Sequence, residues 1–490
     1  MSEEKQMEIA KAKGWSIVAL LWSFSLVALA GCAVGPDFHP PKPILPSAWS
    51  GVAKGLQQGP SIATGNPASL AVWWRQFNDP MLTELVEEAM KVNLDIEIAK
   101  VRLRQARSMR GVVVAGLWPS LNISGKYSRQ HGPGGTSDDG PQNLFQSGLD
   151  ALWELDIFGG VRRNVESAEA NIEAAGEDVR DAQVSVAAEV ALTYLQLRGY
   201  QQQVVIAQMN LKAQQQAANI THKLFSAGFG NALDAANADA TVATTESQIP
   251  VFETEARQSI YALGVLLARL PSDLIAQLSP VGNLPTIPVQ APAGIPSDLL
   301  RRRPDIRQAE AQLHSAVAQI GVAMADLFPQ FSLTGNLGWE SSMPNSWFTL
   351  TSRSWGTGPS VTWPIFQGGK VVANIHVQEA LRDQAFLAYQ KTVLGALQDA
   401  ENALIAFANE QRHYRSLNDA VIANRKAVDL SLRLYTEGQT DFLNVVTAQR
   451  SLYTAQDGLV QSERSIATDL VALYKALGGG WESMSRPEPQ

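Results

Sequence analysis

Side chains that could carry out chemistry are few and widely scattered in this chain of 490 residues. The six histidines have no two members closer than 37 residues: His39, His131, His222, His314, His376 and His413. Their spacing matches no pattern that binds a metal, activates a nucleophile or cradles a phosphate. The one cysteine is Cys32, and a lone thiol cannot form an internal disulfide. The sequence therefore argues against an enzyme and leaves covalent modification of Cys32 as the chemistry it indicates.

The residues before Cys32 suggest what that modification is. Lys11 and Lys13 precede an apolar run over residues 14–30, which is the layout of a secretory signal. The run is nearly long enough to span a bilayer, so an uncleaved anchor is the alternative. The tetrad Leu-Ala-Gly-Cys at 29–32 resembles the bacterial lipoprotein box. That resemblance implies a signal peptide over 1–31 and a lipid such as palmitate on Cys32. We expect no cofactor besides this lipid.

Composition narrows the remaining classes. The net charge of −8 and the lack of a large basic cluster argue against nucleic-acid binding. A hydrophobic content of 45% is enough for a substantial core. The segment after Cys32, AVGPDFHPPKPILPSAW, is rich in proline and cannot be helical. We expect it to form an extended tether.

The distribution of proline predicts long helices. No proline occurs over residues 142–249 or 365–486, and a helix interior rejects proline by roughly 3 kcal/mol. Each stretch is interrupted once, by the pattern L-[FY]-x-x-G-x-x-x-x-L-[DN]. The glycines are Gly228 and Gly438, and the second leucines are Leu233 and Leu443. Glycine before a polar spacer indicates a turn between helices, so each stretch is predicted to be a helical hairpin.

The hairpins belong to a longer internal repeat. The phrase ADLFPQFSLTGNLG at 325–338 repeats AGLWPSLNISGKYS at 115–128, which is an offset of 210 residues. The helical pattern before each copy follows the same offset, since Asp95 matches Asp305 and Leu103 matches Leu313. The chain therefore contains two copies of one unit of helix, strands and long hairpin.

Each repeat also predicts two amphipathic strands. Leu121, Ile123 and Tyr127 alternate with polar residues, and a second alternating run follows a Gly-rich loop. Such segments of about ten residues are typical of outer-membrane strands, and a soluble sheet covered by helices is the alternative. Four strands cannot close a membrane barrel, so copies of the chain must pool their strands. Two copies give eight strands and three give twelve; a conducting pore favours three.

With these features in view, the sequence resembles the outer-membrane factors of tripartite efflux pumps, the TolC-like and OprM-like channels. The resemblance rests on the repeat, PSDLLRRRPDIRQAEAQL, VGPDF after the cysteine, and YKALGGGW near the end. It implies an α+β membrane protein that forms a homotrimer. Each trimer would have a twelve-stranded β-barrel in the outer membrane of a Gram-negative bacterium and an α-barrel of helical hairpins through the periplasm.

The resemblance also implies partners and a division of the chain. The partners would be a periplasmic adaptor protein, an inner-membrane transporter, commonly a proton-driven one, and outer-membrane lipid, with no nucleic acid. The chain divides into the signal peptide (1–31), a lipidated tether with an equatorial segment (32–80), repeat one (81–290), repeat two (291–478) and a C-terminal tail (479–490). Drugs or other small toxic compounds would pass through the channel. A type I protein secretion channel and a non-channel envelope lipoprotein remain alternatives.

The same resemblance suggests gate residues at the hairpin turns, which form the periplasmic mouth in such channels. Family members hold the mouth shut with an inter-helix hydrogen bond, and the matching residues here are Tyr435 and Asp234. The acids that ring the aperture in relatives are replaced by Asn444 and Thr447. An acidic ring is therefore either missing or rebuilt from neighbours such as Asp441, so ion selectivity does not carry over.

Overall fold

In the computed structural model, the residues described are 33–43, 45–46, 49, 62–63, 70–130, 141–288, 291–292, 297–298 and 302–482. Cys32 and the signal segment lie outside this part of the chain. The long elements are α1 (Pro80–Val92), α2 (Leu94–Ala115), β1 (Ser120–Gln130), β2 (Gln142–Leu155), α3 (Gly160–Ser226), α4 (Ala232–Leu266), α5 (Pro304–Ala325), β3 (Gln330–Ser341), β4 (Arg353–Thr362), α6 (Lys370–Thr436) and α7 (Phe442–Ala476). None of the helices within the described residues has a stretch both long and apolar enough to cross a bilayer.

The internal repeat is confirmed at the level of elements. Helices α2 and α5 each have 22 residues, α3 and α6 each have 67, and α4 and α7 each have 35. The first residues of each pair differ by 210, as 304 − 94, 370 − 160 and 442 − 232 show. The 67-residue helices correspond to about 100 Å at 1.5 Å per residue.

One helix runs further than the proline distribution predicted. Helix α4 continues through Pro250 to Leu266, although proline normally ends or kinks a helix. The Thr254 hydroxyl donates to the Pro250 carbonyl at 2.8 Å, and Ile260 and Leu263 are buried beyond it. Packing of that apolar end therefore outweighs the local cost of the proline.

The described residues group into two compact units, each of which draws on both repeats. The first contains Leu103–Ala175 and Gln308–Tyr389 together with the chain up to Lys42. The second contains Pro43–Arg102, Gly176–Arg307 and Gln390–Gln490. The domain boundaries predicted from the sequence follow the repeats along the chain, whereas these units group residues that contact each other. Those boundaries therefore stay a prediction.

The first unit is built around one antiparallel sheet of order β1-β2-β3-β4. The central pair, β2 and β3, joins the two repeats, with Gly148 opposite Gly338. A Cβ on Gly338 would lie 2.6 Å from the Ser147 carbonyl oxygen, so glycine permits a close approach of the two strands here. At the helix end of the sheet, the Trp153 and Trp363 indoles donate to the Leu117 and Leu327 carbonyls at 3.0 and 3.1 Å.

The described residues that directly follow Cys32 are bound to this unit. The Val34 amide donates to the Phe158 carbonyl at 3.0 Å. Arg163, which is 7% exposed, donates to Asp37 and Glu166, both at 2.8 Å, and the Phe38 ring stacks on His314 at 4.4 Å. The segment is extended, as proline requires, and it is held from its first described residues.

The second unit has an aromatic core at the start of α1 and the end of α7. Trp73, Trp74 and Phe77 are buried, and Trp73 stacks on Tyr474 at 5.1 Å. The Trp481 ring lies beneath the Arg180 and Arg307 guanidiniums, at 4.9 and 5.9 Å. The YKALGGGW segment therefore ties the end of the chain into this core.

Candidate functional site

The two hairpin turns close in the same way. Gly228 has a φ of 79° and Gly438 a φ of 72°, which only glycine adopts readily. The amide of Phe229 donates to the Leu224 carbonyl and that of Gln439 to the Leu434 carbonyl, both at 2.8 Å. Each glycine amide also donates to the carbonyl of the residue three positions before it, at 3.0 Å. This second hydrogen bond completes a Schellman cap. The sequence pattern thus marked both helix ends correctly.

A small apolar cluster joins the two hairpins next to these turns. Its buried members come from α3, α4, α6 and α7, or lie at their ends: Ala218, Ala238, Tyr435, Phe442, Val445 and Val446. The Tyr435 and Phe442 rings are 5.1 Å apart. We call this set the tip cluster. It holds the two hairpins side by side through packing of side chains from all four helices.

The hydrogen bond expected between Tyr435 and Asp234 is not formed in this structure. The Tyr435 hydroxyl is buried and makes no hydrogen bond of good geometry with the described residues. Burial raises the pKa of Tyr435, the neighbouring Thr221 hydroxyl lowers it, and the Asp234 charge raises it. Thr221 donates its own hydroxyl to the Ala217 carbonyl at 3.0 Å. The role of Tyr435 and Asp234 as a gate stays a prediction, and packing is what holds the ring here.

The other residues expected at the gate lie at the exposed start of α4 and α7. Asp441 is the N-cap residue of α7, and Asn444 donates to the Thr440 hydroxyl at 2.6 Å. Thr447 donates to the Leu443 carbonyl at 2.8 Å. Leu233 and Leu443 are 67% and 63% exposed, so the turns present leucine to the surroundings. These contacts are local, and they leave the function of the five residues as predicted from the resemblance.

The sequence did not indicate a side-chain pair that the structure shows near the tip, between His222 and Asp239. His222 on α3 and Asp239 on α4 lie 2.9 Å apart, and both side chains are about half exposed. Asp239 therefore pairs with the other helix of its own hairpin. Their spacing from the turn gave no signal, since His222 lies 6 residues before Gly228 and Asp239 lies 11 after it.

A second feature missed by the sequence is a charged cavity further along the helices of the second unit. It has a volume of about 490 Å³ and its charged lining is Asp181, Arg303, Asp305, Asp399, Asp469 and Lys475. Burial, with the Glu410 charge, raises the pKa of Asp469 to about 6. Burial and the Asp305 charge raise the pKa of Asp181. Within the described residues, no cluster of three or more potential ligands is arranged to hold a metal.

Comparison with known proteins decides the family. The model of a family described as outer membrane efflux protein matches residues 85–269 and 295–479. The chain belongs to the outer membrane efflux protein family. The two matched stretches again differ by 210 residues, as 295 − 85 shows, so the family unit coincides with the internal repeat.

Relatives cover nearly the whole chain. Nodulation protein T of Rhizobium leguminosarum bv. trifolii is 31% identical over 94% of this chain and 97% of its own length. The toluene efflux pump outer membrane protein TtgC of Pseudomonas putida is 31% identical over 92% and 93%. The structure of the outer-membrane channel OprN shares 37% identity with a TM-score of 0.83, over 92% of this chain and all of that one. The TolC-like fold expected from the sequence is therefore confirmed, and the family is one of efflux proteins, not enzymes.

Proposed function

We propose that three copies of this chain form an exit channel in the outer membrane for a tripartite efflux pump. The observation that carries the proposal is a four-stranded sheet with one apolar face and two free edges. Within the described residues, no strand pairs with the outer edge of β1 or of β4. Ile123 and Trp355, on those edge strands, are 85% and 70% exposed.

Such a sheet needs partners on both sides. In lipid each unpaired backbone group costs several kcal/mol, so the edges must be paired. Because the strands alternate in direction, β4 of one copy is antiparallel to β1 of the next, and a cyclic ring closes naturally. Three copies supply twelve strands, and a barrel of this size leaves an open lumen. The interior of an eight-stranded barrel would be filled by side chains.

Helix α3 supports the same assembly. Apolar residues repeat along α3 at alternating spacings of three and four, the pattern of a coiled-coil seam. Val165, Ile172, Val179 and Ala182 of this repeat are only half-buried within one chain, whereas Ala168 and Val186 are buried. The buried face lies beside them, at positions such as Ala170 and Ala174. A neighbouring copy's helix can pack against the half-buried seam.

In this proposal, the transported compounds are inferred from the name of a relative, and the partners from the resemblance to tripartite efflux systems. TtgC is named for toluene efflux, so small apolar toxic compounds, drugs included, are the proposed cargo. A periplasmic adaptor and a proton-driven inner-membrane transporter would feed the channel, and the tip cluster with the hairpin turns would be its gate. The lipid on Cys32 would anchor the chain in the same membrane.

The proposal is tested in planar bilayers and in cells. Purified protein should insert as a trimer and conduct, and deletion of its gene should lower the tolerance of the host to apolar toxic compounds. Protein that forms no conducting species, in a host whose tolerance does not depend on the gene, would contradict the channel. A host that loses a secreted protein instead would redirect the function to type I secretion.

A further inference from the structure

Charge is segregated between the two faces of the sheet. The register divides the six charged residues of β1 to β4 into two groups. The polar face carries Lys126, Asp150, Glu154 and Glu340, while the apolar face carries Arg129 and Arg353. All the acids therefore lie on one face, and both charges on the apolar face are arginines.

Both arginines lie at the same end of that face. Arg129 is the penultimate residue of β1 and Arg353 is the first residue of β4, so both are at the end where loops join the strands. Both side chains are exposed, and neither guanidinium makes a hydrogen bond or ion pair with the residues that the structure describes. Tyr127, on the same face, donates to Asn143 at 3.1 Å, and Asn143 is the register partner of Arg129.

The distance between the two ends fits a bilayer. Trp153 marks the helix end of the apolar face, and Asn143 lies ten residues away on the same strand. Ten residues span about 33 Å at 3.3 Å each. A strand tilt of about 40° reduces this to about 25 Å, the height of the apolar band of outer-membrane sheets. The arginines are thus at one boundary of the band and the tryptophans at the other.

The chain also shows which boundary faces outward. Ala33 follows the predicted acylation site, and a Cβ on Gly159 would lie 2.6 Å from its Cα. Gly159 is next to the start of α3, so the chain enters the first unit at the helix end of the sheet. A lipid on Cys32 therefore belongs to the leaflet at the helix end, and Arg129 and Arg353 belong to the opposite, outer leaflet.

A neighbouring copy cannot neutralise these arginines with its strands. In the proposed ring, β1 of one copy adjoins β4 of the next, and this brings Arg129 and Arg353 to the same seam. No acid lies on the apolar face of the described strands, so these strands gather like charges at the seam and present them to anions. Arginine matches phosphate oxygens with paired hydrogen bonds.

We propose that Arg129 and Arg353 bind phosphate groups of the outer-leaflet glycolipid at each seam between copies. This inference rests on the proposed function, since it requires the sheet to lie in the outer membrane. The Tyr127 hydroxyl and the ring of Trp339, the register partner of Arg353, anchor the interface at this boundary, and the two guanidiniums supply the charge.

Binding is measured with the mature full-length protein in phosphatidylethanolamine vesicles, with and without lipid A. Lipid A should raise the temperature at which the trimer dissociates, and enzymatically dephosphorylated lipid A should not. The double variant R129Q/R353Q should lose this response, with binding weakened about tenfold for each arginine. The pair R129K/R353K should keep part of it, because the charge remains.

The matched control is K126Q, which removes a cation three residues from Arg129 on the opposite face of β1. It should respond to lipid A like the unaltered protein. An equal loss in K126Q, a full response in R129Q/R353Q, or an equal response to inorganic phosphate would each overturn the assignment. Conductance and trimer mass are recorded on the same samples. A conducting trimer whose response to lipid A does not depend on the arginines would contradict only this inference. A wild-type protein that is monomeric would contradict the proposed function.

Discussion

Tyr435 illustrates how a single side chain at the tip is held by packing. Its ring is 8% exposed within the tip cluster, and its hydroxyl has no hydrogen bond of good geometry with the described residues. A buried hydroxyl without a partner costs free energy, so its removal should not weaken the site. Removal of the ring leaves a cavity between four helices.

We therefore predict opposite outcomes for two substitutions at this residue. Tyr435→Phe should leave single-channel conductance and vancomycin entry unchanged, while Tyr435→Ala should raise both, because the tips lose about 3 kcal/mol of packing. Asp234→Ala is the companion variant. If Tyr435→Phe and Asp234→Ala raise conductance as much as Tyr435→Ala does, a hydrogen-bonded lock holds the mouth and the packing explanation is wrong.

Ala268 shows a backbone cost that its counterpart in the other repeat avoids. Ala268 has a φ of 52°, and Gly478, the residue 210 positions later, has a φ of 69°. Both close a helix with the same pair of amide-to-carbonyl hydrogen bonds. Alanine in this left-handed conformation is strained by roughly 1 kcal/mol.

Ala268→Gly should consequently raise the free energy of unfolding by about 0.5–1 kcal/mol. The control is Ala236→Gly on the exposed side of α4, where glycine should lower it by a similar amount. Thermal unfolding of both variants measures the difference. A lower unfolding temperature for Ala268→Gly would mean that the cap is not strained.

Asp469 makes stability depend on pH in a defined direction. Its pKa is about 6 in the folded protein because of burial and the Glu410 charge, compared with 3.8 ordinarily. The folded protein binds this proton more tightly, so the free energy of unfolding falls as pH rises from about 4 to about 6. The loss persists above that window, where the buried carboxylate is charged.

Asp469→Asn should remove the loss of stability that the buried, charged carboxylate causes. Since the side chain is partly exposed, we expect a gain of about 1 kcal/mol at pH 7 and none below pH 4. Asp429→Asn, at an exposed position of α6, is the control and should change little at either pH. Unfolding temperatures at the two pH values decide the matter; an equal effect of Asp469→Asn at both would refute the assignment.

At the scale of elements, the alternation and proline patterns predicted most of the architecture. The strand containing Leu121 and Ile123 and the turns at Gly228 and Gly438 lie where the sequence placed them. These features are local, so periodicity and glycine chemistry reveal them. The second strands end at Leu155 and Thr362, although the alternation of apolar residues continues to Ile157 and Ile365.

The features that the sequence did not predict depend on tertiary packing. The charged cavity assembles acids from four helices, and its one local signal was Asp469 among Ile466, Leu470 and Val471. The continuation of α4 beyond Pro250 and the loss of the Tyr435 hydrogen bond also depend on neighbours distant in sequence. No period of 2 or 3.6 residues encodes such contacts.

The faces of the sheet give a prediction at the same scale. Ile123→Lys places a charge on the apolar face and should cost about 2–4 kcal/mol in the membrane, with less protein recovered as inserted trimer. Ser124→Lys, next to it on the polar face, is the matched control and should insert normally. The inserted fraction in outer-membrane preparations measures both. Equal insertion of the two variants would show that the sheet does not face lipid.

For the whole molecule, assembly follows from what one chain lacks. In the part of the chain that the structure describes, a single copy has one apolar sheet face, two sheet edges without a paired strand and a partly half-buried helical seam on α3. Each deficiency is removed by a neighbouring copy, and one rotation satisfies all of them. In the proposed assembly, the channel, the gate and the lipid contacts would be properties of the closed ring and not of one copy.

The native mass of the mature protein in detergent is the measurement that tests the proposed trimeric channel most directly. We predict three copies, which closes a ring of twelve strands around a lumen. A stable monomer under conditions where the protein remains folded would contradict the account, because the free edges of β1 and β4 would then have to be satisfied without neighbours.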